Sequence, residues 1–113
     1  MDSILLTIRR MLGVEDEYDG FDAELIVHIN TAFMSLMQLG VGSSTGFSIT
    51  DETDVWDDFL STATDLHAVK TYIYMKVRMV WDPPTVGGVL DSFNRQISEL
   101  EWRLTLQVDP PAV

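Results

Sequence analysis

The chain has no cysteine. That excludes disulfides, thiolate metal sites and a cysteine nucleophile, and it fits a cytoplasmic origin. Cations are scarce: seven Lys and Arg face 18 Asp and Glu, a formal net charge of −11. Such a surface is not built to grip phosphates through counterion release, so nucleic-acid binding is not its main task. An anionic membrane is an equally poor partner. No apolar run approaches the ~18 residues that a membrane-spanning helix needs. Arg9 and Arg10 follow the apolar run Ile4-Leu5-Leu6 instead of preceding it, so no signal peptide is expected at the N-terminus. The glycines of residues 40–46 lack a lysine and a strand-to-helix setting, which excludes a phosphate loop. There is also no nucleophile elbow.

What the sequence does contain is globular: 113 residues, 46% hydrophobic and 22% charged. This suits one domain, expected over residues 1–106, with a short Pro-containing tail at 107–113.

Periodicity makes that domain helical. Met1, Leu5, Ile8 and Leu12 step by 4, 3 and 4, and Gly13 ends a first short helix over 2–12. An acidic turn leads to a second helix over 22–39, capped by Asp19 or Asp22 and ended by Gly40. Its apolar face is Leu25, Ile29, Ala32, Leu36 and Leu39, widened by Ile26, Phe33 and Met37. Residues 40–46 are a loop, expected to be mobile in isolation and ordered in an assembly. An extended piece at 47–49 precedes a short helix over 55–61 with Asp54 as its cap. A broad-faced third long helix over 65–81 carries Leu66, Val69, Ile73, Val77 and Val80 on one side and Tyr72, Met75 and Met79 on another. Asp82-Pro83-Pro84 stops it. The last helix, over 86–106 with Thr85 as cap, has the cleanest pattern. Val86, Leu90, Phe93, Ile97, Leu100 and Leu104 form a seam of about three heptads. The fold class is all-α: a small bundle of three long helices, a short N-terminal helix and a short connecting one. Leu90, Phe93, Ile97 and Leu100 are expected to pack on Ile29, Phe33, Ile73 and Val77.

Chemistry is thinly represented. Glu24 and His28 are an i,i+4 pair, which reads as a solvated surface contact before it reads as half a metal site. The di-metal carboxylate bundles use Glu-x-x-His at i,i+3, which is missing. The acids Asp51, Glu52, Asp54, Asp57 and Asp58 do not match a calcium loop: counted from Asp54 the third position is Trp56, and counted from Asp51 or Glu52 the glycine is absent. No catalytic residue, metal or cofactor is expected. The notable feature is charge segregation. Eleven of the 18 acids lie in residues 15–24 and 51–58, whereas Lys70, Lys76, Arg78, Arg95 and Arg103 all fall on the last two long helices. Some of these cations pair within the chain, as Glu99 with Arg95 and Arg103. Opposite charges on different faces also suit head-to-tail association into rings. The candidate interface is therefore those five cations against Asp51, Glu52, Asp54, Asp57 and Asp58.

The chain resembles the phage head–tail connector family. The resemblance runs from Ile8-Arg9-Arg10-Met11-Leu12-Gly13 through Phe21-Asp22, Ile29-Asn30 and Leu39-Gly40-Val41-Gly42 to Trp56. It continues in Lys70-Thr71-Tyr72-Ile73-Tyr74, Trp81-Asp82-Pro83-Pro84 and Glu101-Trp102-Arg103. It is nearest to versions from phages of Gram-positive hosts. It implies a non-enzymatic adaptor in the virion, assembled in host cytoplasm, that forms a dodecameric ring beneath the portal. Such a ring extends the DNA channel and offers a platform to a head-closure or tail protein. An acidic channel lets DNA pass without holding it. A different class is an acidic DNA-mimicking module that inhibits a nucleic-acid-binding partner, which displacement of DNA from such enzymes would reveal. A carboxylate-and-histidine metalloenzyme would instead require tightly bound divalent metal.

Overall fold

Two helices end on the same device. In each, a glycine in the left-handed region (Gly13 φ 82°, Gly40 φ 84°) lets the chain turn back. The amides of Gly13 and Val14 then donate to Arg10 and Arg9 carbonyls, and those of Gly40 and Val41 to Met37 and Leu36 carbonyls. These bonds fix the C-terminal ends of α1 (Ile4–Met11) and α2 (Asp22–Gln38). Three further helices follow: α3 (Trp56–Phe59), α4 (Leu66–Trp81) and α5 (Gly87–Val108). The structure, a computed structural model, describes residues 3–15, 17–42, 45–59 and 66–108. Among these there is no strand, only an isolated antiparallel bridge between Ser3 and Val55. The all-α bundle is the observed fold.

The core lies between α2 and α4, the most extensively packed pair, with α1 across both and α5 seated on α4. Leu25, Ile29, Ala32, Phe33 and Leu36 supply the α2 face; Val69, Tyr72, Ile73 and Val77, all wholly buried, supply that of α4. These facing buried sides of α2 and α4 hold much of the apolar burial energy, at about 25 cal/mol per Å². Tyr72 is the polar exception. Its hydroxyl donates to Glu101 Oε2 at 2.7 Å and so ties α4 to α5. Burial, reinforced by Glu101, pushes this phenol well above its ordinary value of 10.0.

Beside this pair lies an aromatic cluster. Phe33 meets Phe59 at 4.8 Å, Phe47 at 4.9 Å and Trp56 at 6.3 Å. Asn30 holds the adjoining segment, donating from Nδ2 to Ile49 O at 3.0 Å and accepting from Ile49 N at 2.7 Å. Residues 47–49 are therefore a clamped loop without strand pairing. Trp56 Nε1 donates to Thr7 Oγ1, and Ile4 N to Asp54 O, which bolts α3 beneath α1.

Several expectations are corrected. The N-cap of α2 is Phe21, which makes no side-chain cap bond, so neither Asp19 nor Asp22 caps it. Asp22 is drawn aside by buried Arg9, with Nε 3.6 Å from Oδ1. Asp54 does not cap α3: its Oδ2 accepts from the amides of Thr50 and Asp51, while Asp58 Oδ2 reaches back to Val55 N. Phe33 packs in the aromatic cluster and not under the α5 seam. That seam is buried only at Ile97 and Leu104; Leu90, Phe93 and Leu100 are half-buried and Val86 is exposed. α1 begins at Ile4 with Ser3 as its N-cap, the Ser3 Oγ accepting from Leu6 N, and Asp2 lies outside the described residues. α5 begins one residue late, at Gly87, and runs two residues beyond Leu106. Ser43 and Ser44 of the expected mobile loop, residues 60 and 61 of the expected short helix, Asp65 and the tail from 109 lie outside the described residues.

Candidate functional site

The titratable groups of the described residues are dispersed over the molecule. Among the described residues no three His, Asp or Glu side chains are placed to hold a metal ion. His28 and Glu24 approach to 3.9 Å along α2, at the surface. The acids of residues 51–58 are dispersed into local work. Asp51 accepts from both the hydroxyl and the amide of Thr53, the hydroxyl having the larger effect, and these bonds hold its carboxyl below the ordinary 3.8. Asp54 and Asp58 bind backbone amides as described above. Glu52 and Asp57 are exposed.

The five cations divide into two groups. Three lie against aromatic rings of their own chain: Lys70 over Trp56 at 5.5 Å, Lys76 over Tyr72 at 5.8 Å and Arg78 over Phe93 at 5.0 Å. Arg78 also donates to the Tyr74 hydroxyl and to the Asp82 carbonyl. The remaining two, Arg95 and Arg103, are exposed on the outward side of α5. Arg103 meets Glu99 at 2.8 Å, whereas the anticipated Arg95–Glu99 ion pair is not formed among the described residues. Trp102 shares this side, 64% exposed. Its position is legible in the sequence, since it stands two residues past Leu100 and therefore opposite the seam.

Sequence reading missed a second surface. Arg9, only 3% exposed, reaches under the acidic turn after α1 and donates to the carbonyls of Glu15 (3.1 Å) and Tyr18. This staple holds Tyr18 at the surface, beside Phe21. Tyr18 and Phe21 meet edge to face at 5.1 Å, and Phe21 meets Trp81 likewise at 5.2 Å. The Tyr18 ring lies close over Gly20: a Cβ there would fall 2.3 Å from its hydroxyl, so a larger residue would push the ring aside. With Leu12 and Val14 the three rings line a groove of about 390 Å³, with Glu15 and Asp82 on its edge. The sequence signal for it is weak: an arginine at the end of an apolar helix face reads as exposed. A second hollow of about 290 Å³ lies between α2, α4 and α5, lined by His28, Ala32, Lys76, Met79 and Ile97 among others. No helix among the described residues is long and apolar enough to cross a membrane.

Residues 4–111 match the model of a family described as phage connector protein. The match covers nearly the whole chain, and the chain belongs to that family. No match was found among curated proteins or among solved structures.

Proposed function

We propose that this phage connector protein is a head–tail adaptor: a structural virion subunit that forms a dodecameric ring beneath the portal. The ring extends the DNA channel and presents its far side to a head-closure or tail protein. The observation that carries the reading is the family match over residues 4–111. The physical features support it. Exposed charge and aromatic surface are abundant. A net charge of −11 suits a wall that DNA passes without adhering. The protein would act in the virion, after assembly in host cytoplasm.

For the interface, the reading assigns the five cations of α4 and α5 to one face and the acids of residues 15–24 and 51–58 to the other. Because Lys70, Lys76 and Arg78 also serve their own subunit, Arg95 and Arg103 are the cleaner probes. Native mass spectrometry of the chain mixed with its phage's portal should show one complex with a fixed, saturating number of copies. Duplex DNA should not be retarded by the chain even at low salt. A chain that ignores the portal, or that binds DNA tightly, contradicts the proposal. Displacement of DNA from a nucleic-acid enzyme would favour the DNA-mimic reading instead.

A further inference from the structure

Two exposed surfaces have complementary chemistry, one at the C-terminal end of α4 and one along the outward side of α5. The first is the aromatic groove around Phe21 and Trp81, at the C-terminal end of α4. It is apolar inside and acidic at the edge, with Glu15 and Asp82 there and Glu17 and Asp19 exposed in the adjoining turn. Tyr18 and Phe21 are 49% and 38% exposed. The second is the outward stripe of α5, where Arg95, Glu99, Trp102 and Arg103 fall on one side of the helix at i, i+4, i+7 and i+8. Tyr72 touches Glu101 while Arg78 lies over Phe93, so the Trp102 end of the stripe lies beside Tyr72 and its Arg95 end lies nearer the C-terminal end of α4. Trp81 is about 14 Å beyond Tyr72 along that helix. Trp102 therefore cannot fill the groove of its own subunit.

We propose that the groove of one copy receives Trp102 of a second copy, with Arg95 and Arg103 of that copy against the acids at the groove's edge. The inference rests on the ring reading above and names the contact by which the ring closes. A tryptophan left 64% exposed in water gains burial by docking, and Trp, Tyr and Arg are the residue types enriched at the energetic centre of interfaces. The groove offers three ring faces or edges for the indole and can accept a guanidinium over an aromatic face. Charge complementarity sets the sense of approach: cations on the stripe, acids at the edge. Because the two patches differ and lie apart, each copy uses one on either side. That is a heterologous contact, which builds a ring where its rotation closes and does not stop at isolated dimers.

The test is assembly of the full chain on its portal, read by native mass spectrometry, with thermal melting as the folding control. Trp102→Ala should melt like wild type and lower the affinity for the neighbouring copy about tenfold or more. Val27→Ala, at an equally exposed site on α2, should change nothing. Arg95→Glu with Arg103→Glu should impair assembly, and adding Glu15→Arg with Asp82→Arg should recover much of the loss. Paired cysteines, Arg103→Cys and Asp82→Cys, in a chain otherwise free of cysteine, should give a reducible ladder of linked copies. If folded Trp102→Ala fills the ring within twofold of wild type, or if the charge swap recovers nothing, this contact is wrong while the ring reading stands. If wild-type chain forms no ring with or without the portal, the ring reading fails and the contact fails with it.

Discussion

α4 and α5 are neighbours of similar amphipathic pattern, yet the structure uses them differently. α4 is enclosed: Val69, Tyr72, Ile73 and Val77 are wholly buried, and α1, α2 and α5 all pack on it. α5 is longer, 22 residues against 16, but among its described side chains only Ile97 and Leu104 are buried, and Arg95, Trp102 and Arg103 turn outward. A helix packed on several sides supplies stability and leaves little surface to a partner. A helix seated along one seam leaves most of its surface for recognition. The difference gives the fold to α4 and, on the contact proposed above, the assembly to α5.

The most severe way to break that division is to charge the enclosed side. Ile73→Asp should leave no folded protein, since an unpaired buried carboxylate costs an amount comparable to the whole stability of a small domain. Ile97→Asp should cost several kcal/mol, on the order of that same stability. Milder truncation sharpens the contrast: Ile73→Ala should cost about 2–5 kcal/mol, and Leu90→Ala at the half-buried start of α5 about 1 kcal/mol or less. Urea unfolding gives both values.

Next in size is the staple at the far end of the core. Arg9→Ala removes the donor to two carbonyls and the partner of Asp22. It should cost about 2–3 kcal/mol in urea unfolding. It should also free Tyr18, which a drop in amide protection over residues 15–20 would register.

The tie between the two helices is testable by pH. Native Tyr72 holds its proton where the unfolded chain releases it, because its hydroxyl is buried against Glu101. Stability should therefore be intact below pH 10 and fall above it by about 1.4 kcal/mol per pH unit from this group. Tyr72→Phe should cost about 1 kcal/mol at neutral pH and remove this share of the alkaline loss. Equal alkaline sensitivity in both proteins would refute the assignment. Smaller still is Trp102→Ala, whose stability should stay within about 0.5 kcal/mol of wild type, although its assembly suffers. The smallest effect belongs to Asp51→Asn. The native carboxyl stays ionised where the unfolded one protonates, so its contribution is present above pH 3.8 and is lost as pH falls through the native value. The variant should melt differently from wild type near pH 5 and converge with it in stronger acid.

The helices were legible because local physics sets them. Gly13, Gly40 and Pro83 stop them where stop signals predict, and the α2 and α4 faces follow the 3.6-residue period. Their family membership was legible too, in Lys70-Thr71-Tyr72 and Trp81-Asp82-Pro83. What was not legible depends on contacts between distant residues. Nothing near Asn30 announces that it will clamp Ile49, nor near Arg9 that it will be buried under Tyr18. Asp22 and Asp54 looked like caps, because local sequence cannot show that a buried arginine or an upstream turn will claim the carboxylate first. For the candidate interface, sequence locates the cations on α4 and α5 but does not show how they divide. Only coordinates show that Lys70, Lys76 and Arg78 lie on rings of their own subunit while Arg95 and Arg103 face outward.

The division of labour between α4 and α5 is tested most directly by a density map of the chain assembled on its portal by electron cryomicroscopy. The account predicts a closed ring in which the outward stripe of α5, Trp102 included, is buried against the next copy while α4 keeps its place inside each subunit. A ring in which Trp102 remains in solvent, or a portal that carries no ring, would contradict it.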